Sequence, residues 1–186
     1  MNTVMDGDLC QVLLKEGLTF DVDRLAEEAA KPRTKLVILC SPNNPMGSMI
    51  TPEEVARIMT TASGLVVVDE AYFEFCGVSS IGLLEHFSNV IITRTFSKAL
   101  GVAGLRLGYL MAHPDPVQEI EKVKLPYNVN LISLIAAKRI IQEQALIEER
   151  SAFICSEPRR VFDQLEAISG IRPYPSYANF ILFEVD

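Results

Sequence analysis

The chain has 186 residues, enough for one full domain and part of a second. Apolar residues make up 49% and charged residues 22%, the balance of a globular protein with a real core. A formal net charge of −7 argues against the basic stripe that a nucleic-acid surface needs, while leaving room for a small local anion site.

Cys10, Cys40, Cys76 and Cys155 are far apart and form no C-x-x-C pair, so reduced, mostly packed thiols are expected rather than disulfides or zinc ligands. His86 and His113 lack ligand spacing, and no metal is expected. No apolar stretch approaches the ~18 residues needed to span a bilayer. Met1–Cys10 is acidic and does not read as a signal peptide. These features predict a soluble, cytoplasmic protein with neither a membrane nor a nucleic-acid partner.

In chain order, Met1–Gly7 has no pattern and reads as a frayed end, and Leu9–Leu14 reads as a short strand. Asp21 caps a helix that buries Val22, Leu25, Ala26 and Ala29 and stops near Lys31-Pro32. Lys35–Cys40 is continuously apolar after its first residue, as expected of a strand covered on both faces. Ser41-Pro42-Asn43-Asn44-Pro45-Met46-Gly47 must be a turn, because two prolines and a glycine fall within seven residues. Thr51-Pro52-Glu53-Glu54 opens the next helix with a capping box, and Val55, Ile58, Met59 and Ala62 form its buried stripe. Leu65–Val68 and Val90–Thr93 are further buried strands, with a weak helix around Ile81–His86 between them. Leu105–Met111 reads as a fourth, reversed strand. Helices are expected from Asp115-Pro116 to about Lys124, from Asn128 to about Ile147, and from about Ser151 to Gly170 with a break or kink at Pro158. Ala178–Val185 is a last apolar strand. Alternating strands and helices with short connections indicate an α/β sheet covered by helices.

Polar groups fall where the apolar runs end: Asn44 after the first, Asp69 after the second, Lys98 after the third. In open α/β sheets, ligands bind beyond the carboxyl ends of the strands. Thr95 and Ser97 add hydroxyls, Tyr72 a phenol, and Arg106 a fixed charge between Leu105 and Leu107, where a charge needs a specific partner. Each has a plainer reading alone: Asp69 as a cap, Tyr72 as packing, Asn44 as turn chemistry before proline, Lys98 and Arg106 as surface charges, Thr95 and Ser97 as caps of a short helix. That same helix start would also hold a phosphate.

Together the motifs S-P-N-N-P-M-G (41–47), V-V-V-D-E-A-Y (66–72), R-T-F-S-K-A-L-G-V-A-G-L-R-L-G-Y (94–109), K-L-P-Y-N-V-N (124–130) and A-N-F (178–180) resemble the fold-type I pyridoxal-phosphate (PLP) enzymes. The match is most similar to the histidinol-phosphate aminotransferases. The resemblance implies an aspartate-aminotransferase-like large-domain sheet over residues 1–147 and the start of a small α+β domain over 148–186. It implies that Lys98 carries PLP as a Schiff base and then acts as the general base. Asp69 would pair with the pyridinium nitrogen, Asn44 and Tyr72 would bond the ring oxygen, and Thr95, Ser97 and Arg106 would hold the phosphate. Lys98, Asp69 and Tyr72 are the catalytic set so implied.

The implied reaction is transfer of an amino group between a small-molecule donor and 2-oxoglutarate, with imidazole-acetol phosphate and glutamate as the physiological pair in histidine biosynthesis. A homodimer is implied as well. Alternatives of the same fold are a PLP lyase of threonine-phosphate decarboxylase type and an aromatic or branched-chain aminotransferase. A truncated, non-catalytic PLP-fold module is the alternative of another class. Relative to the family, the chain is about half length. The resemblance implies that the family's preceding phosphate-binding helix start and ring-stacking aromatic, and its later substrate-binding arginines, fall outside these residues. The sequence is expected to be a partial chain of a working aminotransferase, with Arg159 and Arg172 as surface charges.

Overall fold

Three apolar runs build the parallel centre of a four-stranded sheet: β1 (Leu36–Cys40), β2 (Leu65–Asp69) and β3 (Val90–Thr95). A fourth strand, β4 (Gly108–Ala112), closes the order β1-β2-β3-β4 and runs antiparallel to β3. The reversal read from Leu105–Met111 is therefore present, beginning at Gly108. The computed structural model describes residues 7–186. The frayed end expected at Met1–Gly7 lies, except for Gly7, outside the described residues.

Helix α1 (Val22–Ala29) follows Asp21, whose carboxylate accepts from Arg24 N at 3.1 Å. Helix α2 (Pro52–Met59) carries the full capping box: Glu54 N donates to Thr51 Oγ1 at 3.2 Å, and Thr51 N donates to Glu54 Oε2 at 2.9 Å. Both helices press their apolar stripes on one face of the sheet, so that Val22, Ala29, Val55, Ile58 and Met59 pack with Leu39, Val66, Val68, Val90 and Ile92. Burying each such side chain stabilises by roughly 1.5–3 kcal/mol, more than any single cap. The strands alternate, so Cys40, Asp69 and Thr93 belong to the face opposite this core.

The remaining elements are α3 (Phe73–Cys76), α4 (Pro114–Val123), α5 (Leu131–Ile141), α6 (Gln144–Glu166) and a two-stranded antiparallel sheet of β5 (Ile171–Pro173) and β6 (Phe183–Val185). Short 3-10 turns occupy Glu16–Leu18, Ile81–Glu85 and Ala103–Leu105. No helix among the described residues is long and apolar enough to cross a membrane.

Several local expectations change. Leu9–Leu14 forms no strand; Leu9 and Leu13 stay exposed, and no described strand pairs with them. A strand needs a ladder partner, which alternating composition alone does not supply. β1 is buried on its core face only, because Leu36 and Ile38 point to the open side. The helix expected over 128–147 starts at Leu131 behind an Asn130 cap and stops at Ile141, and α6 begins at Gln144. Pro158 does not end α6, which continues for 23 residues in all. Only the last three residues of the expected Ala178–Val185 strand pair, because the stretch before them packs as a loop against the site.

Thr51→Ala removes the acceptor for Glu54 N and is expected to lower stability by about 1 kcal/mol. A denaturant melt should show a lower midpoint with an unchanged slope.

Candidate active site

The sheet register sets the site. Cys40 lies beside Asp69, and Asp69 beside Thr93, in one row at the carboxyl ends of β1, β2 and β3. Asp69 Oδ1 accepts from Thr93 Oγ1 at 3.1 Å and from Ala71 N at 3.2 Å. Among the described residues, the hydrogen bonds of this carboxylate all go to Oδ1, so Oδ2 remains open as an acceptor. Burial pushes the Cys40 thiol up, and the nearby Asp69 charge adds to that. That shift favours the neutral thiol over the nucleophilic thiolate.

The turn after β1 brings in Asn44. Its Nδ2 donates to Tyr72 Oη at 2.7 Å, leaving the phenolic proton of Tyr72 free for another acceptor. Tyr72 is buried, and Phe180 meets its ring edge-on with centroids 5.2 Å apart. The loop before Phe180 also locks the Asn44 turn. Tyr177 N donates to Gly47 O at 2.8 Å, and a Cβ on Gly47 would collide with the Ser176 side chain. Gly47 has φ 74°, so glycine is required there on both counts.

Lys98 reaches the same place from β3. Its Nζ lies 4.9 Å from the centroid of the Tyr72 ring. The lysine is exposed, and among the described residues its amine has no hydrogen-bond or ion-pair partner. Thr95 Oγ1 accepts from Ser97 N at 3.1 Å, a local turn that sets the entry to the lysine loop. The loop leaves through the Ala103–Leu105 turn, where Ser133 Oγ of α5 donates to Leu105 O at 2.8 Å. Arg106 follows in the left-handed region with φ 50°. Such a conformation costs about 1–3 kcal/mol in a residue other than glycine and persists where its surroundings impose it. The Arg106 guanidinium is exposed and donates through Nη1 to Ala103 O at 3.1 Å.

The structure therefore brings Asn44, Tyr72 and Lys98 together, sets Asp69 against Thr93, and joins Thr95 to Ser97. No side-chain bond among the described residues links Arg106 to the other six. The set offers an acid, a phenol and amide, a free amine, and hydroxyl and guanidinium donors along one end of the sheet. That is the chemistry needed to hold a planar ring with a basic nitrogen, an oxygen substituent, a carbonyl and an anionic group.

This chain matches the family described as aminotransferase class I and II over residues 5–185. It belongs to that family. It is 43% identical over 171 residues to the histidinol-phosphate aminotransferase of Caldanaerobacter subterraneus subsp. tengcongensis, covering 92% of this chain and 48% of that one. The crystal structure of histidinol-phosphate aminotransferase from Sinorhizobium meliloti in complex with pyridoxal-5'-phosphate superposes with a TM-score of 0.86 at 31% identity, over 95% of this chain and 49% of that one. The L-threonine-O-3-phosphate decarboxylase of Porphyromonas gingivalis also shares the fold, with a TM-score of 0.76 at 26% identity over 82% of this chain and 48% of that one. The chain spans about half the length of the curated relatives it matches.

Sequence reasoning missed a second set of charges next to this site. Glu70 is 2% exposed, and its Oε2 accepts from Arg94 Nε at 3.1 Å and Nη2 at 2.9 Å. Ser79 Oγ donates to the same carboxylate, at 3.0 Å to Oε1 and 2.8 Å to Oε2, and accepts from Arg94 Nη2 at 2.7 Å. Ser80 N completes the shell on Oε1 at 2.6 Å. The available signal was Arg94 itself, a charge inside a strand that begins Val-Ile-Ile and so needs a partner. Arg159 pairs with Asp163 and Arg172 with Glu184 on the surface, as expected.

Burial also pushes the Glu74 carboxyl up, the Arg94 charge only partly offsetting it. A raised folded-state value favours the protonated form, so its contribution to stability is present at low pH and lost as pH rises through that value. Glu74→Gln should be more stable than the parent at neutral pH, with the gain vanishing below the ordinary carboxylate range. Thermal melts across that range test this.

Proposed function

We propose that this chain carries the cofactor-holding half of a PLP-dependent aminotransferase acting on histidinol phosphate, with 2-oxoglutarate as the amino acceptor. The observation that carries the reading is the meeting of the Lys98 amine with the Asn44–Tyr72 pair, on loops that leave the strand ends where Asp69 stands in register with Cys40 and Thr93. The identity to histidinol-phosphate aminotransferases supports the substrate class.

The donor set fits PLP. Asp69 Oδ2 is open to accept from a protonated ring nitrogen, and Thr93 and Ala71 hold the carboxylate still through Oδ1. Tyr72 Oη and Asn44 lie together to donate to a ring oxygen. The Lys98 amine is free to bind the carbonyl carbon and, when released, to move a proton at the substrate's α carbon. Ser97 and Arg106 have spare donors for a phosphate, while Thr95, whose hydroxyl accepts from Ser97 N and donates to Leu107 O at 3.5 Å, shapes the loop that presents them. When bound, PLP supplies the electron sink that lets an α proton leave.

Residues 1–147 would form part of the large domain and 148–186 part of the small one, with the substrate-carboxylate groups lying outside this chain. Cytoplasmic homodimers belong to the same reading. The exposed Tyr127, Leu131, Ile132 and Ile135 near the start of α5 support a covered surface there. A decarboxylase of threonine-phosphate type is the second reading, favoured by the shared fold.

The test is a titration with PLP. The chain should develop a long-wavelength absorbance band that borohydride fixes covalently, and Lys98→Ala should lack the fixed product. Equal behaviour of the two would sink the proposal. In the assembled enzyme, amino transfer from histidinol phosphate supports the first reading, and carbon dioxide release from threonine phosphate the second.

A further inference from the structure

Two cross-ties join β2 to β3 at the site, one on each face of the sheet. On the site face Thr93 donates to Asp69 at 3.1 Å. One residue further along the chain in each case, just past the end of β2 and within β3, Arg94 grips Glu70 on the opposite face. We infer that the Arg94–Glu70–Ser79 cluster is a positioning device for the proposed PLP site, holding Asp69 and Tyr72 against the lysine loop.

The connectivity supports this. Glu70 sits between Asp69 and the Ala71-Tyr72 turn, so fixing its carboxylate fixes the chain on both sides of it. Arg94 sits between Thr93 and Thr95, the residues that bond Asp69 and open the lysine loop. Arg94 is also clamped from the other side, its Cζ standing 3.4 Å from the centroid of the Phe73 ring. Phe73 directly follows Tyr72. One guanidinium thereby joins β3, the turn after β2 and the Ser79 loop, at side-chain exposures of 11% for Arg94 and 2% for Glu70.

Stability alone explains this cluster poorly. A buried ion pair loses in desolvation much of what it gains in attraction, and apolar residues of similar volume often do as well. A planar fork that reaches Glu70 through two nitrogens and Ser79 through one of them instead fixes a geometry. Lysine keeps the charge but cannot reproduce the fork.

This inference rests on the functional reading above, and its test separates the two. The holo chain is titrated with pH, following the long-wavelength band and its visible circular dichroism per bound PLP. Donation from Tyr72 and Asn44 to the ring oxygen weakens that oxygen's hold on the linkage proton, so loosening them should raise the band's apparent pKa. Arg94→Lys should bind PLP at Lys98, raise that value by about one unit, a tenfold change in proton equilibrium, and lose roughly half of the dichroism as the ring loosens. Ser79→Ala should shift both in the same direction by less, and it serves if Arg94→Lys fails to fold. Arg172→Lys, on the surface, should change neither. Variants that lose thermal stability yet keep the wild-type titration and dichroism overturn the inference while leaving the functional reading standing. A wild-type chain that takes up no PLP overturns both.

Discussion

Backbone hydrogen bonding between three parallel strands is the constraint on which the rest depends. The strands are short, and their register is set by the apolar residues that α1 and α2 cover. A slip of one residue would turn Val66 and Val68 out of the core and carry Asp69 to the wrong face. The same pairing that buries valines therefore places a carboxylate in line with Cys40 and Thr93. Core packing and site geometry are one requirement here, not two.

Around this row the other parts are fastened by contacts both distant and local in sequence. The Asn44 turn is held by Gly47 and the Ser176–Tyr177 backbone, and Tyr72 by Phe180. The loop that carries Lys98 is opened by Thr95, closed by Ser133 on α5, and left through a left-handed arginine. The C-terminal segment thus packs against the proposed cofactor end of the sheet. Loops positioned by a rigid scaffold are where chemistry is expected, and these loops are pinned at both ends.

Much of this was legible in the sequence because local rules sufficed. The Thr51 capping box, the Asp21 cap, the three apolar runs and the presence of a fourth strand all follow from propensity and pattern. What escaped was tertiary. Leu9–Leu14 has strand composition but no partner among the described strands, and Pro158 sits inside a helix that runs on past it to Glu166. The division between α5 and α6 falls at Gln142-Glu143, where no glycine or proline marks it. Glu70 and Arg94 stand 24 residues apart, and nothing near either one shows that they meet. The site residues were found together because motif spacing records them; their supports were not, because packing does.

The central claim is that the strand-end cluster directs PLP to one amine. The most direct measurement is peptide mapping by mass spectrometry after borohydride reduction of the chain equilibrated with PLP. The account predicts a single phosphopyridoxyl group on the peptide containing Lys98, at one equivalent per chain at saturation. Label spread over surface lysines such as Lys122 and Lys138, with no preference for Lys98, would contradict it.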